Sequence, residues 1–132
     1  MNISIFFAFR IEYGNDKTYI GLYHAPIIGA TTDIGYEFTE STSLEHFDGC
    51  DIVMLGDIHK RQFLNEEETI AYPGSLIQQN YSEEPSHGFL LWDVEKRKSE
   101  FIQIENDYGF KTIRVEDGKI KSKMSFVPKY GA

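Results

Sequence analysis

Short apolar runs broken by turn residues dominate the chain, and they read as mostly short strands. Ile3–Phe9 reads as a strand. Thr18–His24 (TYIGLYH) is a second, rich in β-formers, and Asp51–Leu55 (DIVML) is nearly all apolar, as expected of a strand covered on both faces. Thr69–Tyr72 and Gly88–Val94 (GFLLWDV) follow. Glu100–Ile104 (EFIQI) alternates polar and apolar like a half-solvated strand. Lys111–Val115 is predicted as another strand, stopped by Glu116-Asp117-Gly118. Helix is scarce: a short one over Ser43–Phe47 with Ser41 or Ser43 as cap, and a single turn over Ser75–Asn80 after Pro73-Gly74. Asp93–Lys98 reads as a charged hairpin connection and Ala25–Glu40 as loop. The pattern predicts a β-rich α/β fold with a mixed sheet and few short helices. Residues 1–115 form the domain and 116–132 a tail or the truncated start of a following segment.

Composition narrows the class without naming a function. In 132 residues, 41% are hydrophobic and 14% aromatic, which is globular and not disordered. No apolar run approaches the roughly 20 residues of a membrane span, so no membrane partner is expected. Ile3–Phe9 lacks the basic start and cleavage site of a signal peptide. Cys50 is the single cysteine, which excludes an internal disulfide and fits a reducing, cytoplasmic setting.

The net charge of −8 is uneven. Residues 111–132 hold six Lys/Arg against Glu116 and Asp117, a net of +4, which leaves −12 on the first 110. An acidic body argues against nonspecific nucleic-acid binding by this chain alone, because phosphate neutralisation needs clustered Lys and Arg. The basic end reads first as a solvated tail.

Two places carry candidate chemistry. His24 ends an apolar strand and is followed by Ala25-Pro26. Strand ends that break into loops are where rigid scaffolds place functional side chains, and a neutral imidazole there is able to ligate a divalent ion. A half-buried histidine bonded to backbone is the plainer alternative. In the second place, Asp51–Gln62 (DIVMLGDIHKRQ), a buried strand ends at Gly56, and Asp57 and His59 follow two residues apart. Carboxylate plus imidazole suits a first-row metal, and Lys60 and Arg61 beside them are phosphate-contact candidates. A surface turn with an ordinary charge cluster is the alternative here. Trp92 reads as core or sheet edge, Cys50 as a passive small residue, and His46 and His87 as surface residues.

These residues, in order, resemble the calcineurin-like metallophosphoesterases, and within them the DNA-repair exonuclease branch of SbcD-type and phage subunits. His24-Ala25-Pro26 stands at that family's lone-His motif and Gly56-Asp57-Ile58-His59 at its G-H-x-H motif. Tyr72-Pro73-Gly74-Ser75 matches the turn that follows. Glu83 or Glu84 is the acidic residue, Gly88-Phe89 the next strand start, and Asn106–Phe110 the passage out of the catalytic domain. Read instead as the family's opening D-x-H motif, Asp57-Ile58-His59 would need a G-D-x-x-D and a G-N-H downstream, and neither follows.

The resemblance implies the C-terminal half of a four-layer sandwich and metal-dependent phosphodiester hydrolysis with manganese, or magnesium as the alternative. By the family's pattern His24 and Asp57 would serve one metal and His59 the other. Two departures matter: Asp57 stands where the family has His, and the three upstream ligand motifs are absent. The resemblance therefore implies a fragment or truncated homologue, inactive by itself, whose full-length kind acts on DNA with an ATPase partner subunit. Two rival expectations are a non-catalytic half-domain that pairs with a complementing N-terminal half or forms a homodimer, and a small β-rich domain without metal chemistry.

Overall fold

The computed structural model describes residues 10–121. Among the described residues, eight short strands form one four-stranded mixed sheet and two hairpins. The strands are β1 (Ile20–His24), β2 (Ile52–Gly56), β3 (Gln62–Phe63), β4 (Ile70–Tyr72), β5 (Gly88–Asp93), β6 (Lys98–Gln103), β7 (Val115–Glu116) and β8 (Lys119–Ile120). The sheet order is β1-β2-β4-β3. β1 and β4 both run parallel to β2, and β3 returns antiparallel on β4. The fold is thus the β-rich α/β type that the pattern predicts.

The nearly all-apolar composition of β2 follows from its central place. Ile52, Val53 and Leu55 are buried, and parallel neighbours satisfy both its edges. The core adds Ile27, Ala30, Phe47, Ile58 and Tyr72. Residues 25–42 are loop as expected, folded back on the sheet by the isolated bridges Ile27–Thr42 and Thr31–Glu37. Gln62 holds this loop with its side chain: Thr31 N–H donates to Gln62 Oε1 at 2.9 Å, and Gln62 Nε2 donates to Thr31 O at 2.8 Å. An amide side chain here substitutes for a strand's backbone pair.

At the opposite end of β2, Asp51 is buried and saturated. It accepts from Arg10, from Tyr19 N–H at 2.8 Å, and pairs with Arg97 at 2.8 Å. Arg97 belongs to the turn between β5 and β6, so this ion pair ties that hairpin to the sheet. The predicted 93–98 connection is borne out, with Lys96 N–H donating to Asp93 Oδ1 at 3.0 Å.

Several local expectations need correction. Ser43–Phe47 is only a 3-10 turn over Leu44–Phe47, and Ser43 makes no side-chain cap bond. Ser41 instead donates to Pro26 O at 2.6 Å. Ser75–Asn80 is not a helical turn, because Gln79 N–H and the Asn80 amide are drawn to the Glu83 carboxylate. Of Lys111–Val115 only Val115 is in a strand. Asp117 and Gly118 have φ of +50° and +70°, the double left-handed turn that closes a hairpin on its immediate flanks, Val115–Glu116 and Lys119–Ile120. The predicted strand Ile3–Phe9 and most of the predicted tail lie outside the described residues. Among the described residues no helix is long and apolar enough to cross a membrane.

Candidate functional site

Parallel pairing sets His24 opposite Gly56, so the last residues of β1 and β2 lie side by side. In parallel sheets the carboxyl ends of strands are where ligands bind. The His24 ring lies directly on Gly56. A Cβ at residue 56 would stand 2.5 Å from His24 Nδ1, closer than any side chain tolerates. The absence of a side chain therefore lets the imidazole reach over the turn, and His24 Nε2 comes to 3.9 Å from Asp57 Oδ1. The His24 side chain is 80% exposed. Asp57 has φ +99°, a left-handed conformation that costs a residue with a Cβ of order 1 kcal/mol or more. Such strain gathers at functional sites.

The next turn is built on this one. Tyr72 is fully buried, and its hydroxyl donates to Ala25 O at 2.7 Å, tying the end of β4 to the residue after His24. Burial above all pushes the Tyr72 phenol up to about 12. Gly74, at φ +83°, passes so close to His59 that a Cβ would meet the His59 carbonyl oxygen at 2.7 Å. Ser75 N–H donates to that same carbonyl at 3.1 Å. The Tyr-Pro-Gly-Ser segment thus packs under the Asp57–His59 turn.

His59 is held from its other side. Its Nδ1 lies 2.9 Å from Oε1 of Glu83, a carboxylate almost entirely buried. Asn80 Nδ2 donates to Glu83 Oε1 at 2.6 Å and Gln79 N–H to Oε2 at 2.7 Å. Gln78, buried too, donates to the Glu83 backbone carbonyl at 2.9 Å and accepts Phe110 N–H at 2.7 Å. Of the two adjacent acids, Glu83 faces the site and Glu84 is exposed.

His87, expected at the surface, is buried instead. Its Nδ1 lies 3.0 Å from both the hydroxyl and the carbonyl oxygen of Ser75, so a partner twelve residues away draws it inward.

Lys60 and Arg61 are engaged within the chain. Lys60 Nζ donates to Thr31 Oγ1 at 2.8 Å, and the Arg61 guanidinium sits 3.5 Å from the centre of the Phe101 ring. Asp57 and His59 share a cleft of about 320 Å³ with Asp33, Asn80 and Glu83. A second cleft of about 290 Å³, sharing His59 and Asp33, carries Lys60, Arg61 and His87. Asp33 and the Ser75–His87 pairing carry no local sequence signal, because both reach the site through long-range folding.

Imidazole and carboxylate 3.9 Å apart are able to form one edge of a cation's coordination sphere. A full set is not present: among the described residues no three His, Cys, Asp or Glu gather closely enough to hold a metal ion. The donor chemistry suits manganese or magnesium only with donors added from outside these residues.

Cys50 stands apart from the site. Burial first, and the Asp51 charge second, push its thiol up to about 11, so it is the passive residue expected.

No family model matches the chain. It is 46% identical over 117 residues to "Uncharacterized protein R555" of Acanthamoeba polyphaga mimivirus. The match takes in 86% of this chain and 9% of that protein, so the chain spans about a tenth of its relative's length.

Proposed function

We propose that the chain is the C-terminal part of a metal-dependent phosphodiesterase of the calcineurin-like kind, contributing part of a cation site and inactive without the remainder. The observation that carries this reading is His24 and Asp57 at the ends of adjacent parallel strands, 3.9 Å apart over a glycine that must be side-chain-free for them to meet. The Tyr72–Ser75 turn packed under His59 adds support, since it follows the Asp57–His59 turn in the family's order. In this reading the described sheet is one layer's share of a four-layer sandwich. DNA and an ATPase subunit are then partners of the complete protein. The bound cation would supply Lewis acidity and charge neutralisation at a phosphodiester. This chain's own part is to position two imidazoles and a carboxylate. Lys60 would meet a phosphate oxygen once its bond to Thr31 gives way.

Titration calorimetry with Mn²⁺ tests the reading on the wild type, His24→Ala and Asp57→Asn. Expected is micromolar to millimolar binding in the wild type, weakened at least tenfold in either variant, with no turnover of bis-p-nitrophenyl phosphate. Absence of binding in the wild type, or robust turnover by the pure chain, overturns it.

One observation favours a second reading, a half-domain that pairs with a partner or with itself. Leu22 is 72% exposed, and with Met54, Phe89, Leu90 and Trp92 it lines an open apolar cleft of about 450 Å³. Among the described residues β1 pairs with β2 alone, which leaves its outer edge open. Light scattering separates the readings: a clean monomer at high concentration counts against self-association.

A further inference from the structure

We infer that Glu83 is the positioning residue of His59, fixing its imidazole as the Nδ1–H tautomer so that the Nε2 lone pair is presented outward. The inference rests on the proposed cation site for its purpose, but its geometry stands by itself.

The Glu83 side chain is 2% exposed. Among the described residues no lysine or arginine pairs with it. What surrounds it is donors: Asn80 Nδ2 at 2.6 Å and Gln79 N–H at 2.7 Å, with the Ser75 hydroxyl at 3.5 Å. With fixed donors at both oxygens, the carboxylate stands as an acceptor in this network. His59 Nδ1, 2.9 Å from Oε1, must therefore carry the proton and donate it. In a neutral imidazole this leaves Nε2 as the acceptor. The ring is 44% exposed at the wall shared by the two clefts.

His87 approaches the other carboxylate oxygen. Its contact with the Ser75 carbonyl, which can only accept, places its proton on Nδ1. His87 Nε2 lies 3.8 Å from Glu83 Oε2 and makes no hydrogen bond. It faces Oε2 and so does not compete with His59 for Oε1.

A carboxylate behind a histidine does two things. It fixes which nitrogen faces the ligand, and it raises that nitrogen's basicity; losing such a partner typically weakens metal affinity 10–100-fold. Glutamine cannot replace Glu83 here. Its NH₂ group would stand either against His59 Nδ1–H and the Asn80 amide, or against Gln79 N–H. The first orientation drives the His59 proton to Nε2, where it blocks a cation.

The test is long-range ¹H–¹⁵N correlation of the histidine rings in the metal-free full chain, with the His59 signals assigned from His59→Asn. The wild type should show His59 as the Nδ1–H form. Glu83→Gln should weaken Mn²⁺ binding by calorimetry about 10–100-fold and, where its amide nitrogen takes the Oε1 place, move the ring toward Nε2–H. Glu84→Gln, exposed next door, should match the wild type in both. An Nε2–H ring in the wild type overturns the inference and needs no variant that must fold. So does a Glu83→Gln protein with unchanged tautomer and affinity. An Nδ1–H ring in a wild type that binds no Mn²⁺ leaves the positioning in place and overturns the proposed function instead.

Discussion

His24 occupies the space that a side chain at Gly56 would fill, with its Nδ1 2.5 Å from where a Cβ would stand. The two residues face each other across the parallel pairing of β1 and β2, so sheet register itself delivers the imidazole to Asp57.

Gly56→Ala follows directly. The methyl group meets an exposed, rotatable ring and not backbone, so stability should change by less than about 1 kcal/mol. Mn²⁺ affinity should fall at least tenfold as His24 swings away. Urea unfolding together with calorimetry checks both, and equal affinity would show that the approach to Asp57 is incidental.

Gly74→Ala should behave in the opposite way. Here the added carbon meets the carbonyl oxygen of His59 at 2.7 Å, and φ is already +83°. Neither backbone can rotate away, so a loss of about 2–4 kcal/mol is expected in urea or thermal unfolding, by strain plus steric overlap.

Asp57→Gly should stabilise the fold by about 1 kcal/mol, since glycine adopts φ +99° without the cost a Cβ imposes. The same substitution removes the carboxylate facing His24 and should weaken cation binding. A rise in urea midpoint accompanied by lost Mn²⁺ affinity would be the signature of strain held for function. A fall in midpoint would show that the Asp57 side chain supports the turn.

Alkaline pH should loosen the protein in a defined window. In the folded state Cys50 holds its proton to about 11 and Tyr72 to about 12, while the unfolded chain releases them near 9.0 and 10.0. Between those values the native state binds more protons, so stability is complete below about pH 9 and declines as pH rises toward 12. Urea midpoints measured at about pH 8 and about pH 11 check the direction. At about pH 8 a thiol reagent should label Cys50 slowly in the native chain and quickly in urea.

How much of this was legible varies by element. β1, β2 and the β5–β6 hairpin announce themselves through apolar runs and a charged connection, and the strand ends at His24 and Gly56 follow from the adjoining Pro26 and Asp57. The fold's interior contacts did not show. Adjacent glutamates at 83 and 84 look alike in the sequence; their fates part because the Asn80 side chain accepts Ser82 N–H at 2.9 Å and turns Glu83 inward. That Asx turn was the one local signal. His87, between Ser86 and Gly88, reads as loop, and its burial depends on Ser75. β3 is two residues long, too short to have a period. Charge alone marks Lys60 and Arg61, and charge does not reveal Thr31 or the Phe101 ring as their partners.

Asp51 and Asp57 flank the same five-residue strand and carry the same group. One is quenched by two guanidiniums and a backbone amide; the other has an imidazole too distant for a hydrogen bond. A cation arriving from solvent would gain little by displacing the arginines and much by settling at the far end. β2 is therefore flanked by two carboxylates of one chemistry and two environments: the one before it is held by arginines, and the one after it faces solvent and an imidazole.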